Sequence, residues 1–166
     1  MIILGIDPGL AIVGWGVIEY SGSHFRTLGY GSIDTPAGMQ TEERLSLIFD
    51  GITKLIETYQ PDQMAVEELF FNTNITTGIR VAEARGVIIM CAHRLGVKVF
   101  EYTPLQVKQA VVGYGRAEKK QVITMVTMIL GLPKPPKPDD TADALAIAVC
   151  HAHSGASRLA NYYNKK

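Results

Sequence analysis

The first nine residues place a carboxylate at the end of a buried strand, and this feature limits the available folds more than any other. Residues 2–6 (IILGI) are almost wholly apolar, as in a strand covered on both faces, and the run ends at Asp7. Pro8 and Gly9 favour a tight turn, because proline fixes φ and glycine accepts positive φ. The pattern predicts an acid at the tip of a central strand. That acid is either a functional group or a turn-forming aspartate that bonds its own backbone.

The chain that follows predicts an α/β fold. Residues 13–20 and 24–34 continue as an antiparallel meander, and residues 41–59 show the apolar spacing of an amphipathic helix. Residues 63–67 then form a short strand that ends in Glu67. A right-handed crossover brings this acid to the sheet edge that carries the first one. Further elements are predicted as a helix over 76–95, a strand over 97–101, and helices that begin near 103, 118 and 142.

A third acidic segment, DDTAD at 139–143, precedes the last predicted helix, 142–153. Asp140 and Asp143 lie three residues apart, so both project from one side of the helix start. A purely structural role is also possible, with Asp140 as an N-cap and Asp143 as its capping-box partner. That role accounts fully for one of the two acids and partly for the other.

Four carboxylates thus converge on one sheet edge, with no cysteine or histidine among them. They are Asp7, Glu67, Asp140 and Asp143. Their negative charges repel one another unless cations neutralise them, and all-oxygen sites favour Mg²⁺ or Mn²⁺. Two such ions about 4 Å apart stabilise both the attacking water and the departing 3′ oxygen in phosphodiester hydrolysis.

Charge is segregated along the chain although the net charge is +0. Residues 1–70 hold three basic and ten acidic side chains, whereas residues 71–166 hold thirteen basic and six acidic ones. Arg116, Lys119 and Lys120 surround a glycine-rich turn and a helix start, which favours phosphate binding over a merely solvated first turn. Phe70, which lies next to another phenylalanine, is a candidate for stacking on an unpaired base, although one ring of such a pair is often in the core.

The length of 166 residues suits one domain, expected over 1–154 with a polar tail at 155–166. Cys91 and Cys150 lack metal-site spacing and are expected to be buried thiols. His151 and His153 lie near a helix C-terminus, where positive charge is favourable. No run of about 20 apolar residues is present, and the N-terminus lacks a basic region, so we expect a soluble, cytoplasmic protein.

Several ordered motifs resemble the RuvC family of Holliday-junction resolvases over essentially the whole chain. They are ILGIDPG at 3–9, AVE at 65–67 followed by Phe70, EY at 101–102, QVKQ at 106–109, VVG at 111–113, AEK at 117–119 and DTADALAIA at 140–148. The resemblance implies an RNase H-like fold with a central mixed five-stranded sheet flanked by helices. It also implies a homodimer that nicks two opposed strands of four-way junction DNA with Mg²⁺, two ions per site, beside the RuvA–RuvB branch-migration complex.

The resemblance also assigns roles to residues. It implies that Asp7, Glu67, Asp140 and Asp143 are the catalytic metal ligands, and that Phe70, Lys108 and Lys119 contact DNA. Glu68 is an extra acid beside the second motif, and strand alternation favours Glu67 as the ligand.

Three other functions fit parts of the pattern. Another RNase H-like nuclease, acting on RNA or ordinary duplex, uses the same acids. A sugar-kinase or actin-like ATPase also has Asp-x-Gly after a first strand, but it needs a second similar domain. A catalytically silent junction-binding protein does not need the full acid set.

Overall fold

The computed structural model describes residues 1–69 and 75–155, and in them five strands form one mixed sheet. The order across the sheet is β3-β2-β1-β4-β5. The strands are β1 (Ile2–Asp7), β2 (Ile12–Ser21), β3 (His24–Asp34), β4 (Gln63–Glu67) and β5 (Lys98–Tyr102). The central strand β1 pairs antiparallel with β2 and parallel with β4, which confirms the predicted mixed five-stranded sheet.

Helices cover both faces of this sheet. They are α1 (Thr41–Tyr59), α2 (Ile75–Arg94), α3 (Pro104–Val112), α4 (Lys119–Ile129) and α5 (Asp139–Gly155). Successive residues of β1 point to opposite faces. Ile3 therefore packs in one core with α3, α4 and α5, while Leu4 packs in a second core with α1 and α2. Because both faces are covered, β1 is apolar up to Asp7, as the sequence predicted.

The start of the last helix differs from the sequence prediction. Helix α5 begins at Asp139 rather than at residue 142, so Asp140 lies in the first turn and the N-cap role predicted for it is wrong. Acidic side chains in a first turn interact favourably with the helix dipole, and the Thr141 amide donates to the Pro138 carbonyl at 3.0 Å. Helix α3, by contrast, begins at Pro104 directly after Thr103, as predicted, and the Thr103 hydroxyl accepts from the Gln106 amide at 3.1 Å.

His151 also differs from its prediction. It is fully buried rather than a positive charge at a helix end, and its ring bonds to Tyr102 Oη at 2.7 Å and to Gln63 Oε1 at 2.5 Å. Burial lowers its pKa to about 4, so the ring is neutral at pH 7.

Cys91 and Cys150 are buried free thiols, as predicted. Among the helices of the described segments, none combines the length and apolarity needed to cross a lipid bilayer.

Candidate active site

Two of the predicted acids end neighbouring parallel strands. Ile6 of β1 pairs with Val66 of β4, so Asp7 and Glu67 follow at the same edge of the sheet. The next residue, Glu68, is exposed, and its amide donates to the Tyr102 carbonyl at 2.8 Å. Because β4 ends at Glu67, strand alternation does not extend to Glu68, and the choice of Glu67 as the ligand stays a prediction.

Helix α5 carries the other two acids and approaches the sheet closely, because glycines lie beneath it. Gly14 of β2 pairs with Asp7, and a Cβ at Gly14 would clash with the Asp140 backbone carbonyl. A Cβ at Gly5 would clash with the Ala144 carbonyl one turn later. Because glycine has no side chain, the first turn of α5 can lie directly against β2, the strand that pairs with β1 at Asp7.

The four acids form what we call the acidic cluster: Asp7, Glu67, Asp140 and Asp143. The pKa of Asp7 rises to about 8, first because its carboxyl group is buried and then because of the charges of Glu67, Asp143 and Asp140. Burial, followed by the charge of Asp143, also raises the pKa of Glu67. Burial raises the pKa of Asp143 despite its bond to a lysine. The cluster therefore requires added positive charge to ionise fully.

Lys119, the first residue of α4, places its ammonium group in this cluster. Its Nζ lies 2.8 Å from Asp143 Oδ2 and 3.9 Å from Asp139 Oδ2. Burial lowers the pKa of Lys119, but the hydrogen bond to Asp143 and the negative charges of Asp143, Asp139 and Asp140 outweigh burial and raise it. The lysine therefore supplies part of the positive charge that the acids require.

The donor chemistry of the acidic cluster fits a hard divalent cation. Carboxylate oxygens are the ligands that Mg²⁺ and Mn²⁺ prefer, and no thiol or imidazole competes in the cluster. Within residues 1–69 and 75–155, no three Asp, Glu, His or Cys side chains already surround one point as ligands do. One carboxylate, that of Asp143, is instead oriented towards Lys119.

A cavity of about 230 Å³, which we call the lysine cavity, opens beside the acids. Its walls include Glu67, Asp143, Lys108 and Lys119. Both lysines lower the pKa of Glu67, although burial dominates that pKa. The cavity thus combines carboxylates with positive charge, as a site that handles a phosphodiester requires.

For the remaining predicted DNA contacts, the structure gives at most position and exposure. Arg116 precedes α4 and Lys120 lies in its first turn, and both are exposed. Phe70 lies outside the described residues. The roles in DNA binding assigned to these three residues stay predictions.

Sequence reasoning missed two features near the acids. The first is the ion pair of Lys119 with Asp143, since sequence spacing does not relate α4 to α5. The second is the buried cation of Arg44 in α1. Its position offered a signal, because Arg44 precedes Ile48 and Ile52 at intervals of four residues and so belongs to the buried stripe.

Comparison with known proteins adds independent information. The family model described as "Crossover junction endodeoxyribonuclease RuvC" matches residues 3–151. Proteins of that name from Alkaliphilus oremlandii and Clostridioides difficile are 58% and 60% identical to this chain. Each alignment spans 155 residues and covers 93% of this chain, with 94% and 91% of the respective relatives.

Solved structures are similar as well. The Thermus thermophilus RuvC structure "in complex with Holliday junction substrate" superposes with a TM-score of 0.87 at 38% identity, covering 92% of this chain and 93% of that one. The yeast mitochondrial Holliday junction resolvase Ydc2 superposes with a TM-score of 0.70 over 98% of this chain and 81% of that one. At 15% identity, this second similarity concerns the fold alone.

Proposed function

This chain belongs to the RuvC family of crossover junction endodeoxyribonucleases, and we propose that it performs the family's reaction at the acidic cluster. It is a structure-selective endonuclease that resolves four-way Holliday junctions by paired symmetric nicks in recombination and repair. The hydrolysis is metal-dependent. The observation that carries our assignment of the site is the convergence of acids from β1, β4 and α5.

The ion we assign is Mg²⁺, with Mn²⁺ as a substitute, and two ions per site. Asp7, Glu67, Asp140 and Asp143 would hold them. The all-oxygen donor set and the raised pKa of Asp7 support this assignment. Ions bound there supply Lewis-acid stabilisation of the attacking water and the departing 3′ oxygen.

The residues of the chain contribute orientation and charge. Asp7 and Glu67 extend from paired strands, which keeps their spacing rigid. Lys108 and Lys119 line the same cavity as Glu67 and Asp143, so they hold the DNA backbone against the acids. Arg116 and Lys120, exposed at the start of α4, extend this contact along the strand.

The working unit we propose is a homodimer that joins through α2. One face of α2 packs on α1 through buried residues such as Ile88 and Cys91. The opposite face exposes Ile79, Gly86 and Met90, and a Cβ at Gly86 would meet no atom within 4 Å. Such an apolar, low-profile face suits an isologous contact, which places one active site on each of two symmetry-related strands.

Sedimentation velocity tests the dimer. We expect wild-type protein to sediment as a dimer and Met90→Glu to sediment as a monomer that binds junctions more weakly. Met128, exposed on α4, provides the control Met128→Glu, which should remain dimeric. A monomeric wild-type protein would contradict the interface.

The enzyme would act in the cytoplasm beside the RuvA–RuvB branch-migration complex, which moves the junction to the sites that are cut. The assignment rests on family membership and on the need for a mobile junction. A test is whether RuvA and RuvB from the same cell change the cutting positions of this protein on a long mobile junction.

The assigned function itself is tested by incubating the full chain with a mobile synthetic four-way junction and Mg²⁺. We expect nicks at symmetrical positions on two opposed strands and ends that DNA ligase reseals. Equal cutting of linear duplex or of an RNA–DNA hybrid would favour the alternative nuclease function.

A further inference from the structure

A second cavity, which we call the arginine cavity, meets the acidic cluster at a different acid. It measures about 350 Å³, within the range of sites that bind small ligands. Its lining includes residues 9–11 of the β1–β2 turn, Ile12 at the start of β2, Arg44, Arg80 and Asp140. The turn begins directly after Asp7. The arginine cavity contains Asp140, whereas the lysine cavity contains Asp143. Each cavity therefore borders a different part of the acidic cluster.

Arg44 places a buried cation in the wall of this cavity. Only 8% of its surface is exposed, and its Nε donates to Thr35 Oγ1 at 2.7 Å while Nη2 donates to the Thr35 carbonyl at 3.4 Å. The Thr35 hydroxyl donates to the Leu10 carbonyl, which fixes the arginine against the β1–β2 turn. In the described residues, no carboxylate forms an ion pair with Arg44.

A buried guanidinium without a carboxylate partner is unfavourable unless another anion approaches it. Nη1 of Arg44 donates to no acceptor in the described part of the chain and is not fully buried, and Arg44 lines the cavity. Arg44 therefore has an unused donor and lines a space that a ligand can enter.

The remaining walls favour an anion with several oxygens. Arg80 of α2 is exposed and adds a second guanidinium group. The amides of Leu10 and Ala11 donate to no backbone acceptor within the described residues. The cavity walls contain two arginines and one acid, Asp140, so positive charges outnumber negative charges by one. Guanidinium forks and backbone amides are donors that match phosphate oxygens.

We propose that the arginine cavity binds a phosphodiester group of the DNA strand being cut, next to the group held at the acidic cluster. The inference rests on the proposed function. The strand then spans both cavities, with one phosphate against Lys108 and Lys119, and another against Arg44 and Arg80. Two fixed phosphates set the register of the bond between them, so Arg44 and Arg80 are positioning residues.

The first test measures junction binding without divalent ions as a function of salt. Arg80→Gln should weaken binding about threefold to tenfold and reduce the slope of log K against log salt by about 1. Lys54→Gln is the matched control, because Lys54 is an exposed helical cation on α1 away from both cavities, and it should leave the slope unchanged. Arg44→Lys, with thermal unfolding measured alongside, keeps the charge but loses the fork and should weaken binding while the protein stays folded.

The second test scans single neutral methylphosphonates across the strand near the cut. At one position beside the scissile phosphate, neutralisation should weaken wild-type binding about threefold or more and leave Arg80→Gln unaffected. Equal losses in both proteins at every position, or an unchanged salt slope in Arg80→Gln, would overturn the arginine cavity as a phosphate site. If wild type neither binds nor cuts the junction, the proposed function fails instead, so the two failures are distinguishable.

Discussion

At the scale of single residues, the ion pair of Lys119 with Asp143 offsets part of the repulsion among the carboxylates. The ammonium group lies among acids that repel one another, and it is about half exposed. An exposed pair of this kind contributes at most about 1 kcal/mol. Lys119 thus compensates the acids only in part, and it competes with any cation that binds Asp143.

We predict that Lys119→Met lowers the melting temperature of the metal-free protein slightly, by about 1–2 °C. Because the competing ammonium group is gone, added Mg²⁺ should then raise the melting temperature of the variant more than that of wild type. Thermal unfolding with EDTA and with Mg²⁺ measures both effects. Lys120→Met, which removes the neighbouring exposed charge, should behave as wild type, and equal Mg²⁺ shifts in all three proteins would contradict the competition.

At the scale of secondary-structure elements, the active site depends on how closely α5 lies on β1 and β2. Gly14 pairs with Asp7 and supports the first turn of α5. We predict that Gly14→Ala lowers the free energy of unfolding by about 3 kcal/mol or more, because the new methyl group clashes with the Asp140 carbonyl. Urea denaturation measures the loss.

Gly38 provides the control for this change, because a Cβ there would meet no atom within 4 Å. Gly38→Ala should change the unfolding free energy by less than about 1 kcal/mol. If Gly14→Ala is as stable as Gly38→Ala, the close approach of α5 is not required for the fold.

The elements that carry the acids differ in how well the sequence predicts them. Apolar runs end at Asp7 and Glu67, and the crossover rule aligns parallel strands, so their shared edge was predictable. The start of α5 was predicted three residues late, because aspartates serve equally as N-caps and as first-turn residues. Contacts between distant elements, such as Lys119 with Asp143, leave no periodic pattern in the sequence.

At the scale of the whole molecule, buried His151 links the sheet to α5 and makes stability depend on pH. Its pKa is about 4 in the folded protein, against 6.5 for an ordinary histidine. The unfolded chain therefore binds a proton between these values that the folded protein does not. Stability from this group is complete above pH 6.5 and is lost as the pH falls towards 4.

We predict that the titration of His151 alone lowers the free energy of unfolding by about 3 kcal/mol as the pH falls from 6.5 to 4. Other groups titrate in the same range, so the test compares wild type with His151→Gln by urea denaturation at several pH values. The variant should be less stable at pH 7 but should lose less stability on acidification. Parallel pH profiles would contradict a buried neutral histidine.

The central claim is that acids from β1, β4 and α5 form one metal-dependent active site, and it is tested most directly by Asp7→Asn beside Glu68→Gln. Both changes replace a carboxyl group by the amide of the same size, but only Asp7 belongs to the acidic cluster, whereas Glu68 is exposed beside it. Binding and cleavage of one synthetic four-way junction are measured on the same samples across a Mg²⁺ titration. We expect Asp7→Asn to bind the junction as tightly as wild type or more tightly and to leave it uncut at every Mg²⁺ concentration, while Glu68→Gln cuts normally. Cleavage by Asp7→Asn at the wild-type rate would contradict the account.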